Sequence, residues 1–578
     1  MDKKSYCIAW LMLLFVGSLH AQYRTTTYCN PLNLDYTYPF HNSHLGKSYR
    51  SGAAPAVVEF RGEYYMFVTR SWGYWHSKDL LNWDFITPEK WYFEGCNAPA
   101  AHNYKDSVLY VCGNPSGAMS ILYTDNPKRG DWKAVPSVLH DLQDPALFID
   151  DDERAYMYWG SSNRWPIRGK ELDMKNKFLP IAKKPDSLLF LRPDIHGWER
   201  FGENHTSDIK PFIEGAWMTK HNGKYYLQYA APGTQFNVYG DGVYVGKSPL
   251  GPFEYAAHNP FCYKPGGFAT GAGHGSTVCG PGGIYWHFGT IHLSINYKFE
   301  RRLCMFPTFF DEDGAMYSDT YFGDYPHYSP DQVSRQTTSG GFRGWMLLSY
   351  GKPVKASSQL ESYPVENVTD ENLKTFWVAE KNDDKQWVEI DLEEVSDVYA
   401  LQLNFFDYEE TGFWGRMPNL RQRYLVEASV DGARWRVLVD YRNSFRDAPH
   451  NYIELDQPIE ARYIRYRHHY VPGKNLAMGD IRVFGLGRGK KPATVKGFTV
   501  VREADERNAR ISWKAVKGAQ GYNVLWGVAL DKLYSSWMVY GDNSLDLRAL
   551  TVGQKYYFAI EAFNENGISQ RVFLREAH

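Results

Sequence analysis

The sequence has no excess of either charge, few cysteines, and no internal apolar run long enough to cross a membrane. Lysine and arginine number 64 against 66 aspartates and glutamates, a formal net charge of -2. A balance this even, with no long run of one sign, excludes the electrostatic footprint of a nucleic-acid binder and leaves no charged tail. Seven cysteines in 578 residues contain no C-x-x-C pair, which argues against a zinc site. Cys7 lies inside an N-terminal apolar run rather than after it, so a lipid anchor is not expected. Lys3 and Lys4, the run Ile8 to Val16, and Leu19-His20-Ala21 before Gln22 read as a signal peptide over 1–21, too short for a spanning helix. The expected product is exported, periplasmic or extracellular, with no membrane span, and a monomer. Of the six remaining cysteines, Cys96 and Cys112 are the best candidates for a disulfide.

Aromatic residues are abundant: 16% of the chain, with 19 tryptophans and 43 tyrosines. Part of this reflects strand propensity, and part suits sugar stacking, since indole and phenol rings offer a flat apolar face with a polar edge. One pattern recurs five times. Ala54-Pro55 leads into AVVEFRGEYYMFV, Ala98-Pro99 into AAHNYKDSVLYVC, Asp144-Pro145 into ALFIDDDERAYMYWG, Glu214-Gly215 into AWMTKHNGKYYLQYA, and His274-Gly275 into STVCGPGGIYWHFG. Each copy is a strand, a polar turn and a second aromatic-rich strand. Spacings of 44, 46, 70 and 60 residues match propeller blades of four short strands with loop insertions. A five-bladed β-propeller over 22–335 is expected, with the residue before each Pro or Gly at the start of an innermost strand, facing one central pocket. An all-β sandwich is the competing architecture, but it does not require one motif five times in register.

Asp144 and Glu214 would then be carboxylates held on rigid strands at one mouth, the arrangement that glycosidic bond cleavage needs. Each has a plainer explanation, since aspartate before proline suits a turn and a glutamate ahead of a strand suits the surface. Their matched register in consecutive blades favours a shared site.

The segments Asp144-Pro-Ala-Leu-Phe-Ile-Asp-Asp-Asp, Glu214-Gly-Ala-Trp, Ser248-Pro-Leu-Gly-Pro-Phe253, Gly273-His-Gly-Ser-Thr277 and Arg301-Arg302 together resemble glycoside hydrolase family 43, over nearly the whole repeat region. The resemblance implies an inverting glycosidase acting on plant cell-wall polysaccharide, removing arabinofuranose, xylose or β-1,3-linked galactose. It implies that Glu214 is the general acid and Asp144 the neighbour that tunes its pKa. A carboxylate neighbour disfavours ionisation, which fits.

The family's base is an Asp in the first blade, where this chain has Ala54. Three explanations stay open: another carboxylate fills the role, with Asp35, Glu199 and Glu203 the candidates; a weaker group or the substrate positions the water, as in exo-β-1,3-galactanase-like branches that also lack this Asp; or the domain binds glycans without cleaving them. The resemblance implies no required cofactor. A structural calcium is the metal expectation, with His274 as the ligand that some relatives use on the propeller axis. Asp150-Asp151-Asp152 reads as a solvated turn rather than a calcium loop. Trp217 is a candidate sugar platform; Trp72, Tyr74 and Trp75 are either platforms or inter-blade packing.

After Thr337-Thr338-Ser339-Gly340-Gly341, a linker-like patch, a second β unit runs over 345–486. Its markers are Val368 to Trp377, Gln386 to Leu392, Glu427 to Trp435, Ala461 to Arg465 and Asp480 to Gly485. This order resembles a discoidin-like domain (coagulation factor 5/8 type C), a jelly-roll β-sandwich that often binds sugars. Gly487 to Pro492 reads as a short basic linker. The last unit, 494–578, resembles an immunoglobulin-like fibronectin type III β-sandwich, with Tyr556 placed as a tyrosine-corner residue and a spacer role expected. Besides a glycosidase, the sequence admits a non-catalytic glycan-binding protein and an adhesion protein; the last leaves the carboxylates unexplained.

Overall fold

The computed structural model describes residues 25–574 apart from 40–45, 90–95, 115–117, 138, 141, 183 and 334–339. The expected leader and most of the linker patch at 337–341 lie outside the described residues. No helix among the described residues is long and apolar enough to cross a membrane.

Five antiparallel sheets follow one another along the chain. The first blade is Ala56–Phe60, Glu63–Phe67, Tyr74–Ser77 and Asp84–Ile86. The second is Asn97–Tyr104, Val108–Asn114, Leu122–Thr124 and Lys133–Ala134. The third is Ala146–Ile149, Ala155–Trp159 and Ile167–Asp173, with Leu179–Pro180 and Asp186–Leu189 on its outer edge. The fourth is Glu214–His221, Lys224–Ala231, Gly240–Gly246 and Phe253–Tyr255. The fifth is Gly273–Cys279, Tyr285–His292, Arg301–Phe310 and Met316–Ser318.

The hairpins follow from local chemistry: Asn222-Gly223, with φ of 47° and 72°, is the two-residue turn whose twist matches paired strands. The innermost strands of consecutive blades are neighbours, and the first also meets the fifth. The ring closes there, where the Ala54 N–H donates to Thr290 Oγ1 (3.0 Å) and the Val57 N–H to Ser276 Oγ (2.8 Å).

The turn that feeds each innermost strand has one residue in the left-handed region. These are Ala54 (φ 52°), Ala98 (42°), Asp144 (49°), His274 (50°) and, in the fourth blade, Gly215 (64°). The aligned pattern therefore needs a correction of one residue in that blade. Ladder irregularities between Asn97 and Ala100, Glu214 and Trp217, and Gly273 and Ser276 place Glu214 level with Asn97 and Gly273, one residue ahead of the slot. Glycine takes the left-handed position without a Cβ penalty. Glu214, one methylene longer than aspartate, reaches the ring from one residue upstream. Because Ala98 shares the conformation, the left-handed turn is a device of the blade rather than a mark of chemistry.

The second unit is an eight-stranded β assembly built on the long strands Trp387–Phe405 and His450–Tyr470. The last unit sets a three-stranded sheet against a five-stranded one. There the Thr551 N–H donates to Tyr556 Oη (3.2 Å), the bond from a nearby backbone group that a tyrosine corner makes.

Both units are packed into the propeller rather than tethered to it. Arg50 pairs with Asp407 (3.0 Å) and Asp447, Arg302 Nε donates to His450 Nε2 (2.8 Å), and Lys264 pairs with Asp324 (3.0 Å) beside the buried Arg482–Glu371 pair (2.7 Å). In the last unit Leu547, Leu550, Trp526 and Trp537 share one apolar cluster with the propeller's Trp198 and Tyr263. Gly197 donates its N–H to Leu550 O (2.8 Å), and a Cβ there would meet Arg548 O at 2.5 Å. The expected spacer is thus part of the core.

The six described cysteines form no disulfide with one another. Cys96 Sγ sits where a Cβ on Gly113 would be, 1.9 Å away, so it lies against the residue after Cys112 instead of bridging to that residue.

Candidate active site

Neighbouring blades three, four and five bring Asp144, Glu214 and His274 together, with one ligand-type atom of each within 4.8 Å of the others. His274 Nδ1 stands 3.9 Å from Asp144 Oδ2. Tyr239, just ahead of the third strand of blade four, donates its hydroxyl to Glu214 Oε1 (2.6 Å). Ser161, after the second strand of blade three, donates to Glu214 Oε2 (3.1 Å) and also reaches Asp144. The half-buried Arg301 guanidinium interacts electrostatically with both carboxylates and with Tyr239.

Burial pushes the Asp144 carboxyl up to about 6; the His274 ring opposes this, the Glu214 charge adds to it, and Ser161 and Arg301 pull it back. Asp144 thus holds its proton to higher pH than a free aspartate would. The closeness of the two carboxylates leaves no room for the attacking water that inverting pairs keep between carboxyl groups about 6.5–9.5 Å apart. Asp144 therefore stands too close to Glu214 to be its partner across the sugar.

The His274 backbone is fixed from behind. Asp241, fully buried in blade four, accepts from the N–H groups of His274 (2.7 Å) and Gly275 (2.9 Å), and its other contact is His287 Nε2 at 3.0 Å. Tyr239, Ser161 and Asp241 were not named in the sequence motifs, and Arg301 only within one. All four sit at the ends of second strands or the starts of third strands, the positions that border the mouth once blades are assembled. Arg301 was visible only as half of the Arg301-Arg302 motif; strand alternation turns Arg301 to the mouth and Arg302 to His450 of the next unit.

In blade one, Ala54 is buried and presents only a methyl group. The three candidate substitutes lie elsewhere, each held by other partners. Asp35 accepts from Trp75 Nε1 (2.7 Å) and is ion-paired with Arg416. Glu199 is fully buried, accepts from Tyr229 Oη (2.6 Å) and the Arg192 N–H, and burial raises it to about 8, so it is protonated at neutral pH and unfit as a base. Glu203 accepts from the Asn237 N–H (3.1 Å) and faces Lys374 at 3.9 Å. The structure does not bring any of the three into the Asp144–Glu214–His274 group.

The aromatic candidates are also placed differently. Trp72 is 6% exposed, covered by Gly415 and Trp414 of the second unit, so it offers no face to a sugar. Trp217, three residues beyond Glu214 on the same strand, donates its indole N–H to Thr277 O (3.3 Å) and packs against two apolar cores. These contacts link blade four to blade five.

A cation site at Asp144, Glu214 and His274 would hold two carboxylates and one imidazole, and both Glu214 oxygens already accept hydrogen bonds. Calcium takes six to eight oxygen ligands, waters among them, so these three residues would supply only part of the shell of the calcium expected at His274. In the Asp150-Asp151-Asp152 turn, Lys220 Nζ binds Asp150 and Asp151 (2.8 Å to the latter) and Tyr225 donates to Asp150, which makes an ion-paired turn.

Residues 49–316 match the family model for glycosyl hydrolases family 43, and residues 353–478 match that for the F5/8 type C domain. A beta-xylosidase of Xylanibacter ruminicola is 33% identical over 202 residues, 31% of this chain and 57% of that protein. An arabinoxylan arabinofuranohydrolase of Bacillus subtilis is 25% identical over 331 residues, 46% of this chain and 60% of that one. The chain thus spans little more than half the length of these two curated relatives. A solved thermostable family-43 glycoside hydrolase is 20% identical with a TM-score of 0.43, over 53% of this chain and 100% of that one. The propeller of this chain belongs to glycosyl hydrolases family 43, and the unit that follows it is an F5/8 type C domain.

Proposed function

We propose that this protein is an exported glycosidase that removes terminal sugars from plant cell-wall polysaccharides, with Glu214 as general acid and Asp144 as its proton-holding neighbour. The observation that carries this is the convergence of Asp144, Glu214 and His274 at one mouth, within 4.8 Å. Glu214 gives its proton to the glycosidic oxygen as the C1–O bond breaks, and water bonds to C1 from the opposite face, giving inversion. With Ala54 in blade one, the water is positioned by a weaker group or by the substrate, and its proton leaves to solvent. The names of the relatives, a beta-xylosidase and an arabinoxylan arabinofuranohydrolase, favour terminal arabinofuranose and xylose over β-1,3-linked galactose.

The test is sugar release from arabinoxylan, arabinan and aryl arabinofuranosides and xylosides by the full chain and by Glu214→Gln. The native chain releases one monosaccharide, and the variant loses about 10²–10⁴ of that rate, the range for a general acid. Full activity in the variant overturns the assignment. Ala54 favours a second reading, a glycan-binding protein derived from such an enzyme; binding of these polymers by the native chain without any turnover would establish it.

A further inference from the structure

The F5/8 type C domain does more than lie beside the propeller. One of its loops, around residues 409–416, is stitched to the segment that leads into the first blade. Tyr38 and Gly415 exchange backbone hydrogen bonds (3.0 and 2.8 Å). Ser48 Oγ donates to Phe413 O (2.7 Å) and accepts from the Phe413 N–H (3.0 Å). Lys47 pairs with Glu409 (2.6 Å), and Arg416 pairs with Asp35 and lies 4.0 Å over the Phe85 ring. Residues on both sides of Trp414 are thus pinned, while Trp414 itself is turned outward and is 56% exposed.

The loop is pinned beside the turn that carries Trp72. Trp414 stands edge-on to Trp72, ring centroids 5.4 Å apart and planes at 84°. Trp72 ends the turn that begins at Thr69, and that turn sits on the slots of blades one and two. The Thr69 N–H donates to Ala53 O (3.0 Å), Thr69 Oγ1 accepts from the Ala98 N–H (3.0 Å), and Arg70 Nε donates to Asn97 Oδ1 (2.7 Å). Tyr49 lies in the electrostatic reach of both Arg70 and Arg301, and Arg301 borders Asp144 and Glu214. The turn under Trp414 and the candidate catalytic pair therefore border the same opening from opposite blades.

We propose that Trp414 is a sugar-stacking platform donated by the F5/8 type C domain to the mouth of the propeller, so that the ligand is a polysaccharide chain running from the catalytic pair to a second domain. This rests on the reading that the mouth takes a glycan. An indole on a pinned backbone and more than half exposed is the side chain that fits the C–H face of a sugar ring, and its fixed backbone avoids the ordering cost of a mobile loop.

The experiment measures binding of arabinoxylan, arabinan and arabinogalactan by affinity electrophoresis and calorimetry, in the full chain carrying Glu214→Gln so that turnover does not consume the ligand. Trp414→Ala is expected to weaken binding of at least one polymer about tenfold, the loss of one aromatic contact, and Trp414→Phe to restore most of it. The proposal is overturned if Trp414→Ala binds as tightly as its parent, if the parent binds none of the three polymers, or if alanine and phenylalanine variants lose binding equally. These outcomes are separate from the turnover assay: unchanged binding in Trp414→Ala beside sugar release by the native chain removes the platform and leaves the glycosidase. Weakened binding without turnover leaves the platform and removes the glycosidase.

Discussion

Gly215 lies flat against the ring of His274: a β-carbon added to it would stand 2.7 Å from His274 Cγ and 2.8 Å from Cδ2. With φ of 64° at Gly215, any side chain there meets both a backbone penalty and a ring that cannot retreat, because Asp241 holds the His274 backbone. Gly215→Ala should lower the melting temperature, with a conformational cost of about 1–2 kcal/mol, and should move His274 off Asp144. The expected loss in kcat/KM is at least about tenfold, since small misplacements in a catalytic ring are costly. A variant that melts and turns over as the native chain does would show that this packing does not hold the site.

Asp144 gives the chain a pH-dependent weakness. Its carboxyl is raised to about 6 in the folded protein, chiefly by burial, against about 3.9 in an unfolded chain. Between those values the folded state keeps a proton that the unfolded state has released, so stability falls as pH rises from about 4 to 6 and stays lower above that. Asp144→Asn removes the cost. It should stabilise the protein at pH 7 by up to about 3 kcal/mol and lose that advantage near pH 4, while activity drops. Denaturation at the two pH values checks this; equal effects at both would contradict the assigned direction.

Ala54 occupies the position where the family's resemblance places a base. Aspartate tolerates the left-handed backbone found there better than most residues, so Ala54→Asp should fold. If the missing base limits turnover, the substitution should raise the hydrolysis rate by about 10²-fold or more, with the released sugar of inverted anomeric configuration by NMR. An unchanged or lower rate would mean that blade one no longer takes part in the reaction.

The repeat was legible in the sequence because strand alternation and turn chemistry are local: Asn222-Gly223 and the aromatic-rich second strands of the blades announce hairpins without help from the rest of the chain. Asp144 and His274 were legible for the same reason, as residues in one repeated turn. The register in blade four was not. Glu214-Gly215 reads as an aligned pair until the ladder places Gly215 in the left-handed turn and Glu214 before it. Trp72 could be read equally as platform or packing. Its burial depends on Gly415, which lies more than 340 residues away in another domain.

By itself the sequence determined the all-β architecture, five blades, the F5/8 type C unit and a carboxylate pair without a carboxylate in blade one, because these rest on periodicity, short motifs and the identity of single side chains. Tertiary structure alone decided that Tyr239, Ser161 and Arg301 surround that pair, that Asp35, Glu199 and Glu203 are held elsewhere, and that the other two units are built into the propeller. These are contacts between residues far apart in the chain, set by how blades and domains pack, and no local pattern encodes them.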